Sequence, residues 1–335
     1  MNVDIVPFHE AMIGEAGTLL AERHRRDRLA QPELPARFED PAVSSAAVAA
    51  TWQQAGASGV AAQRDGRLAG YMIGRRVIDP LWGRSAWVRP AGCALTPDEG
   101  AELARDLYAA LAAPWVVQGI YFHFAVLPVA DPALIHAWFS LSFGLEQIYA
   151  LADLAQLDLQ PPPAAPGLEI RRAGPADRQT LADFSDVIWR HQVQAPVWGI
   201  MLPETVEERR TGWAELADDP NVTLWLAYLD GEPVGCQGYG PADPGDDDLL
   251  TPDACCEQIV AGTRPHARGR GVATALMRHG LHQAREAGYR FCLTDWRSTN
   301  LLSSRFWPHQ GFRPMIYRLV RRVDSRIAWG DPSGH

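Results

Sequence analysis

The sequence predicts a mixed α/β fold that is built from two consecutive domains of similar design. First, 335 residues exceed the size of one typical domain and suit two domains of about 150 residues each. Second, a proline-rich stretch at 159–167 separates the halves, and proline favours stiff, extended backbone. Third, a strand-turn-strand pattern around Asp65-Gly66 recurs about 165 residues later around Asp230-Gly231. We therefore expect a tandem duplication with low identity between the copies.

The C-terminal domain is predicted at 168–325, followed by a short tail at 326–335. Apolar and polar residues alternate at 168–173, as they do in a half-buried strand. Gly288 is typical of the residue that ends a helix. The predicted order is β-α-α-β-β-β-α-β-α-β, with helices at 175–192, 204–217, 272–287 and 300–309 and strands at 168–173, 223–229, 233–239, 257–263, 290–295 and 313–323.

The N-terminal domain is predicted at 1–158 and shows a weaker version of the same order. Its candidate helices are 9–28, 99–112 and 132–141, and its candidate strands are 3–6, 59–63, 67–75, 86–88 and 120–126.

Composition and charge restrict the function. The net charge is −9, which argues against general binding of nucleic acid. All 31 basic residues are arginine, whose planar fork suits phosphate. The five cysteines have irregular spacing that fits neither a metal site nor a redox motif, so we expect reduced thiols in a cytoplasmic protein. We see no signal peptide and no apolar run long enough for a membrane span.

The segment Arg268-Gly269-Arg270-Gly271-Val272-Ala273 carries the strongest functional signal. It follows a predicted strand and opens a predicted helix. Glycines let the backbone turn tightly, and the free N–H groups at a helix start bind phosphate. The alternative is a glycine-rich turn without a ligand.

This segment resembles the R/Q-x-x-G-x-G/A motif of the GCN5-related N-acetyltransferase (GNAT) superfamily. A second block, from Asn300 to Phe312, is similar to the family's N-x-x-A-x-x-F-Y-x-x-x-G-F pattern. The resemblance covers about 168–323 and implies two tandem acyl-CoA N-acyltransferase-like domains, the first of them degenerate. It also implies acetyl-CoA as cofactor, bound by Val260, Ala261, Gly262, Thr263, Arg268, Gly269, Arg270, Gly271, Val272, Ala273, Thr274, Asn300, Ser303, Phe306 and Trp307.

The resemblance further suggests catalytic residues. Glu257 stands where some members carry a general base, which the reaction needs because an ammonium must lose a proton before its nitrogen attacks. The alternative is an ordinary strand-edge glutamate. Asn300 is expected to contact the cofactor or an ordered water, to cap a helix, or to do both. Trp307 replaces a tyrosine that often protonates the departing thiolate, and indole is no proton source. It could instead pack against the cofactor or the core, leaving Ser303, Ser304 and Tyr317 as weak substitutes.

Acceptor residues are expected where the family builds its acceptor wall. Aromatic faces and carboxylates suit a cationic amine, although a core-packed amphipathic helix is the plainer interpretation. The candidates are Asp186, Trp189, His191, Trp198 and Asp295, and the acidic run 246–248 could attract amines or simply be a solvated loop.

The predicted reaction is acetyl transfer from acetyl-CoA to the amine of a small molecule by direct attack, with backbone N–H groups near 260–263 stabilising the oxyanion. The N-terminal copy lacks the phosphate loop at 91–100 and would shape the pocket or stabilise its neighbour. Two alternatives stay open: a non-catalytic acyl-CoA-binding or scaffold protein, and a protein or peptide N-acetyltransferase. The expected partner is the small-molecule amine, nucleic acid and membrane are not expected as partners, and the chain would be a monomer or homodimer.

Overall fold

A computed structural model describes residues 3–80, 82–160, 166–245 and 248–330. Most of the predicted proline-rich linker, two of the three acids at 246–248 and the end of the predicted tail lie outside these residues. The chain divides into two compact units. Unit 1 comprises 1–148, 244–252 and 314–335, and unit 2 comprises 149–243 and 253–313.

The described elements alternate strands and helices along both halves. The strands are β1 (Asp4–Pro7), β2 (Ala57–Arg64), β3 (Arg67–Asp79), β4 (Gly83–Val88), β5 (Cys93–Leu95), β6 (Phe122–Pro128), β7 (Gly144–Asp153), β8 (Leu168–Arg172), β9 (Thr223–Leu229), β10 (Glu232–Pro241), β11 (Cys255–Thr263), β12 (Phe291–Arg297) and β13 (Arg313–Arg322). The helices are α1 (Ile13–Ala30), α2 (Pro41–Gln53), α3 (Glu102–Val117), α4 (Pro132–Ser140), α5 (Arg178–Gln192), α6 (Val206–Glu215), α7 (Val272–Glu286), α8 (Leu301–His309) and α9 (Ile327–Gly330).

In unit 1 the strands are ordered β1-β2-β3-β4-β6-β13, and β5 pairs with β3. Strands β4 and β6 run parallel, and the other pairs are antiparallel. Successive residues of β3 face opposite sides, as a strand requires. Tyr71 packs with Leu20 of α1 and Phe38, whereas Met72 packs with Leu107 of α3 and Trp138 of α4. The sheet of unit 1 is therefore covered by helices on both faces.

In unit 2 the strands are ordered β12-β11-β10-β9-β8. Strands β11 and β12 run parallel, and the others are antiparallel. Helices α5 and α6 cover one face through a cluster that includes Phe184 and Trp213. Helix α7 covers the other face through Val272 and Leu276. Gly235 permits this close packing, because a Cβ there would lie 2.7 Å from Leu276.

The predicted order β-α-α-β-β-β-α-β-α-β is observed from β8 to β13, so the mixed α/β fold class is confirmed. In the N-terminal half the sequence reasoning missed β5, β7 and α2. Helix α2 is rich in alanine and lacks a polar face, so no helical period is visible. Its start was still signalled, because Asp40 accepts from the N–H of Ala42 and Pro41 occupies the first turn.

The compact units differ from the predicted domain limits 1–158 and 168–325. Strand β13 pairs with β6, with Leu319 opposite Ala125, so residues 314–325 belong to unit 1. Residues 149–158 belong to unit 2, where the N–H of Leu154 donates to the carbonyl of Arg290 at 2.9 Å. The physical reason is that hydrogen-bonded strand neighbours, rather than chain order, decide which unit a terminal strand completes.

Helices long and apolar enough to span a bilayer are absent from the described ranges. Those same ranges hold no cluster of three His, Cys, Asp or Glu side chains that could bind a metal ion.

Candidate functional site

The segment that joins β11 to α7 carries the predicted phosphate motif, and we call residues 268–271 the glycine loop. Gly269 and Gly271 have φ angles of 74° and 78°, a region that side-chain-bearing residues rarely adopt. Gly271 is the N-cap of α7, and no side chain in the described chain caps this helix. The first-turn N–H groups of α7 are therefore open to an external anion.

The glycine loop is exposed, whereas the helix that follows it is firmly anchored. Arg268, Gly269, Arg270 and Gly271 are all exposed. Val272, the next residue, is 1% exposed in the core beneath α7. Nε of Arg268 donates to the carbonyl of Thr263 at 3.2 Å, which ties the loop to the end of β11. A rigid helix start with two adjacent guanidinium groups suits a diphosphate.

Strands β11 and β12 separate from each other before they end, and we call the opening between them the strand gap. They pair at Cys255–Phe291, Cys256–Cys292 and Glu257–Leu293, and the described residues beyond these show no further pairs between the two strands. A shift in the β10–β11 register, where Val260 faces Gly238 and Gln258 faces Tyr239, bends β11 at Ile259. The gap therefore leaves backbone groups of residues 258–263 without a partner in β12.

Gln258 and Thr294 bridge the strands just past the last backbone pair. The Thr294 hydroxyl donates to Oε1 of Gln258 at 2.9 Å. Nε2 of Gln258 is buried and has no acceptor among the described residues. An orphaned donor of this kind beside the strand gap fits a ligand that brings its own acceptors.

Glu257 occupies the last paired position of β11, directly at the apex of the strand gap, and it is exposed. Its role as general base stays a prediction.

Asn300 caps α8, so this part of its prediction is confirmed. Its Oδ1 accepts from the N–H of Leu302 at 3.2 Å and from that of Ser303 at 3.3 Å. The same oxygen lies 3.1 Å from Nε2 of His191, in the last turn of α5. Asn300 is 9% exposed. This contact between helices distant in sequence carried no sequence signal.

A pocket of about 410 Å³ lies between α5 and the turn after β11, and we call it the α5 pocket. Of the predicted acceptor residues, Asp186 and His191 line it, whereas Trp189, Trp198 and Asp295 do not. Its lining is Asp183, Asp186, Val187, Arg190, His191, Gln194, Arg264, Pro265 and Arg268.

The two carboxylates of the α5 pocket are already paired with an arginine. Arg210 of α6 donates to Asp183 at 2.9 Å and to Asp186 at 2.8 Å. These hydrogen bonds raise the pKa of Arg210 above its usual range. Asp186 also accepts from the indole of Trp189 at 3.1 Å. Asp186 is therefore already paired within the chain, and its role toward a cationic amine stays a prediction.

The α5 pocket also carries three arginines, of which Arg190 lies 3.9 Å from Asp186. Its lining includes Arg190, Arg264 and Arg268. The guanidinium of Arg190 lies 4.6 Å from the ring centre of Trp189. That of Arg264 lies 4.9 Å from the ring of Phe184, and its Nε donates to a backbone carbonyl. The pocket thus offers partly fixed cations to its occupant.

Trp307 lies in the core, 4% exposed, with edge-to-face contacts to Phe306 and Phe312 at 4.9 and 5.1 Å. This is one of the two packing roles that the sequence left open. Of the weak substitutes for a general acid, Ser303 is half-buried on α8, and Tyr317 lies in β13 of unit 1. Trp198 is 72% exposed in the α5–α6 loop.

Unit 1 has no counterpart of the glycine loop in its described residues 91–101. Ala91 and Gly92 are buried, and Arg23 donates to the carbonyls of Pro90 and Cys93. Glu99 pairs with Arg64 at 2.7 Å. An acidic residue also starts α3. This surface disfavours phosphate.

Comparison with known proteins relates part of this chain to a family. Residues 190–312 match the model of the Acetyltransferase (GNAT) family. An uncharacterized N-acetyltransferase of Escherichia coli (strain K12), YjgM, is 27% identical over 115 residues, which are 34% of this chain and 65% of that protein. The chain therefore matches about two thirds of that relative's length.

Two solved structures share the fold over nearly their whole length. A GCN5-related N-acetyltransferase from Sphaerobacter thermophilus has a TM-score of 0.56 at 17% identity, covering 96% of this chain and 95% of that one. A tandem GNAT protein from the clavulanic acid biosynthesis pathway has a TM-score of 0.52 at 14% identity, covering 97% and 99%. Residues 190–312 are thus similar to the GNAT family, and the chain shares the fold of solved GNAT proteins, one of them a tandem GNAT protein.

Proposed function

We propose that unit 2 transfers an acetyl group from acetyl-CoA to the amine of a small molecule. The observation that carries this proposal is the uncapped start of α7 behind the exposed glycine loop, next to the strand gap. A diphosphate fits the loop, because open N–H groups, the helix dipole and Arg268 all favour negative charge. Bound acetyl-CoA supplies an acyl group activated as a thioester.

Different residues of the chain would then bind the cofactor, stabilise the oxyanion and remove the proton. Residues 268–274 hold the phosphates, and residues 260–263 line the gap with backbone N–H groups that can stabilise a developing oxyanion. Glu257, at the apex of the gap, takes a proton from the incoming ammonium. Asn300 fixes the start of α8 beside the site.

The size of the α5 pocket supports a small acceptor. Its volume of about 410 Å³ lies in the range that small-molecule sites occupy. A peptide would need an open groove. The buried Trp307 favours one rival, a non-catalytic acyl-CoA-binding protein, because it removes the usual acid. All five cysteines are buried thiols outside any disulfide bond, which supports a reducing compartment such as the cytoplasm.

The first experiment measures the free energy of unfolding with acetyl-CoA, longer acyl-CoAs and CoA. A ligand at 100 times its dissociation constant adds about 2.7 kcal/mol. Gly271→Glu places a carboxylate among the phosphate-binding N–H groups and should abolish this gain. Gly231→Glu is the matched control: its φ is 86°, and its surroundings are equally open. Both variants carry the same backbone strain, but only Gly271 lies in the loop.

The second experiment is a screen of small amines and peptides for release of CoA from acetyl-CoA. We expect release with small amines and a large decrease in Glu257→Gln. Stabilisation by acetyl-CoA without release would favour the non-catalytic rival. The absence of both effects in a folded protein would refute the proposed function.

A further inference from the structure

The contact between His191 and Asn300 fixes the protonation of the His191 ring. Oδ1 of Asn300 accepts two backbone N–H groups at the start of α8, so the atom that faces His191 is the carbonyl oxygen and not the amide nitrogen. A carbonyl oxygen cannot donate. Nε2 of His191, 3.1 Å away, must therefore carry the proton in this hydrogen bond.

The other ring nitrogen is then available for proton transfer. In neutral imidazole with Nε2 protonated, Nδ1 is an acceptor. Nδ1 of His191 has no hydrogen-bond partner anywhere in the part of the chain that the structure describes. His191 is half-buried and lines the α5 pocket. A histidine oriented through one nitrogen, with the other nitrogen facing reactants, is the usual arrangement of a general base.

The proposed reaction moves a second proton besides the one that Glu257 takes. An ammonium becomes an amide by losing two protons: one before attack, and one after the C–N bond has formed. The thiolate that leaves when the C–S bond breaks must gain one. Trp307 cannot give it, because an indole N–H is no acid and its ring lies in the core.

We propose that His191 carries this second proton and that Asn300 is its positioning residue, an inference that rests on the proposed function. Glu257 takes the first proton, and the amine nitrogen attacks the thioester carbon. After the C–N bond has formed, Nδ1 of His191 accepts the second proton from the nitrogen of that bond. As the C–S bond breaks and its electron pair stays on sulfur, the imidazolium gives this proton to the thiolate. The imidazolium is stabilised by the oxygen of Asn300.

The charged groups around His191 are compatible with this role. On α5 they are Asp183, Asp186 and Arg190, and on the turn after β11 they are Arg264 and Arg268. Both aspartates are bound to Arg210, so neither is free to compete with His191 for the acceptor's proton. Glu257 does not line the α5 pocket. The two proposed proton carriers lie on different elements, Glu257 on β11 and His191 on α5.

The test uses the full chain, acetyl-CoA and the small amine that gives the fastest CoA release. His191→Gln keeps an amide donor for Asn300 but cannot carry a proton, so kcat should fall by about 100-fold or more while KM for acetyl-CoA stays the same. His191→Ala should lose the same activity and regain part of it when imidazole is added. His309→Gln, at an exposed position of α8, is the control and should keep full activity.

A spectroscopic measurement tests the positioning independently of turnover. The ¹⁵N chemical shifts of His191 should show the Nε2–H tautomer in the wild type and a mixture in Asn300→Ser, whose side chain caps the helix but is too short to reach the ring. Wild-type kcat in His191→Gln, with CoA release intact, would overturn the inference and leave the proposed function standing. No CoA release by the wild type with any amine would overturn both.

Discussion

Asn300 performs two separable tasks, and substitutions at this position can measure each one. It accepts two backbone N–H groups at the start of α8 and one N–H from His191. Replacing an asparagine N-cap by alanine costs about 1 kcal/mol. Losing a partly buried hydrogen bond costs about another 1 kcal/mol. We therefore expect Asn300→Ala to lower the free energy of unfolding of unit 2 by about 2 kcal/mol.

Two further substitutions separate the contribution of the helix cap from that of the hydrogen bond to His191. Aspartate caps a helix as well as asparagine does and also accepts from His191, so Asn300→Asp should stay within about 0.5 kcal/mol of the wild type. Serine keeps the cap alone, so Asn300→Ser should lose only about 1 kcal/mol. The effect extends beyond α8, because this nine-residue helix carries Trp307 into the core.

Urea unfolding, followed by fluorescence, measures these differences, and a double-mutant cycle with His191→Ala isolates the hydrogen bond. Residues in direct contact give coupling energies of about 0.5 kcal/mol or more. A coupling energy of zero between Asn300→Ser and His191→Ala would refute the reasoning, because the serine would then have removed nothing that His191 supplies. Equal losses in the serine and alanine variants would refute the capping role.

Three more predictions follow from packing and burial. Gly280→Ala places a Cβ 2.2 Å from the buried ring of Tyr239 and should lower the free energy of unfolding by about 1–3 kcal/mol. Gly212→Ala, in open space on α6, should raise it by about 0.5–1 kcal/mol. Urea unfolding compares the two variants. Trp307→Phe should destabilise by about 1–3 kcal/mol yet leave the calorimetric affinity for acetyl-CoA unchanged. Burial lowers the pKa of His24 to about 4, so below about pH 6.5 the unfolded chain binds a proton that the folded chain does not. The stability of unit 1 should therefore fall by on the order of 3 kcal/mol from pH 6.5 to 4, and His24→Gln, which keeps a donor for Pro35, should flatten this dependence.

The order of elements in unit 2 could be predicted because each one carried a local signal. The alternation at 168–173, the turn at Asp230-Gly231 and Gly288 after α7 are all properties of neighbouring residues. Helix α2 lacked such a signal, because a uniformly small and apolar sequence has no helical period. The membership of β13 in unit 1 could not be predicted either, because β13 pairs with β6 and the paired residues lie about 190 positions apart in the sequence.

In the candidate site, too, some features could be predicted from the sequence and others could not. The glycine loop was readable because its conformation depends on Gly269 and Gly271 themselves. The occupation of Asp186 by Arg210 and the pairing of His191 with Asn300 were not readable. Both depend on side chains brought together by helices that are distant in sequence, and no spacing rule connects them. Sequence therefore predicted the conformation of the glycine loop but not the side-chain pairing inside the α5 pocket.

The two units suggest why a glycine loop is retained in one copy and absent from the other. The loop contributes nothing to the core, since all four of its residues are exposed. It also lowers stability, because two glycines with positive φ and an uncapped helix start each cost free energy in the absence of an anion. A bound anion would offset part of that cost. In unit 1 the corresponding segment is instead closed by Arg23 and by the Arg64–Glu99 pair, which stabilise the fold without any ligand.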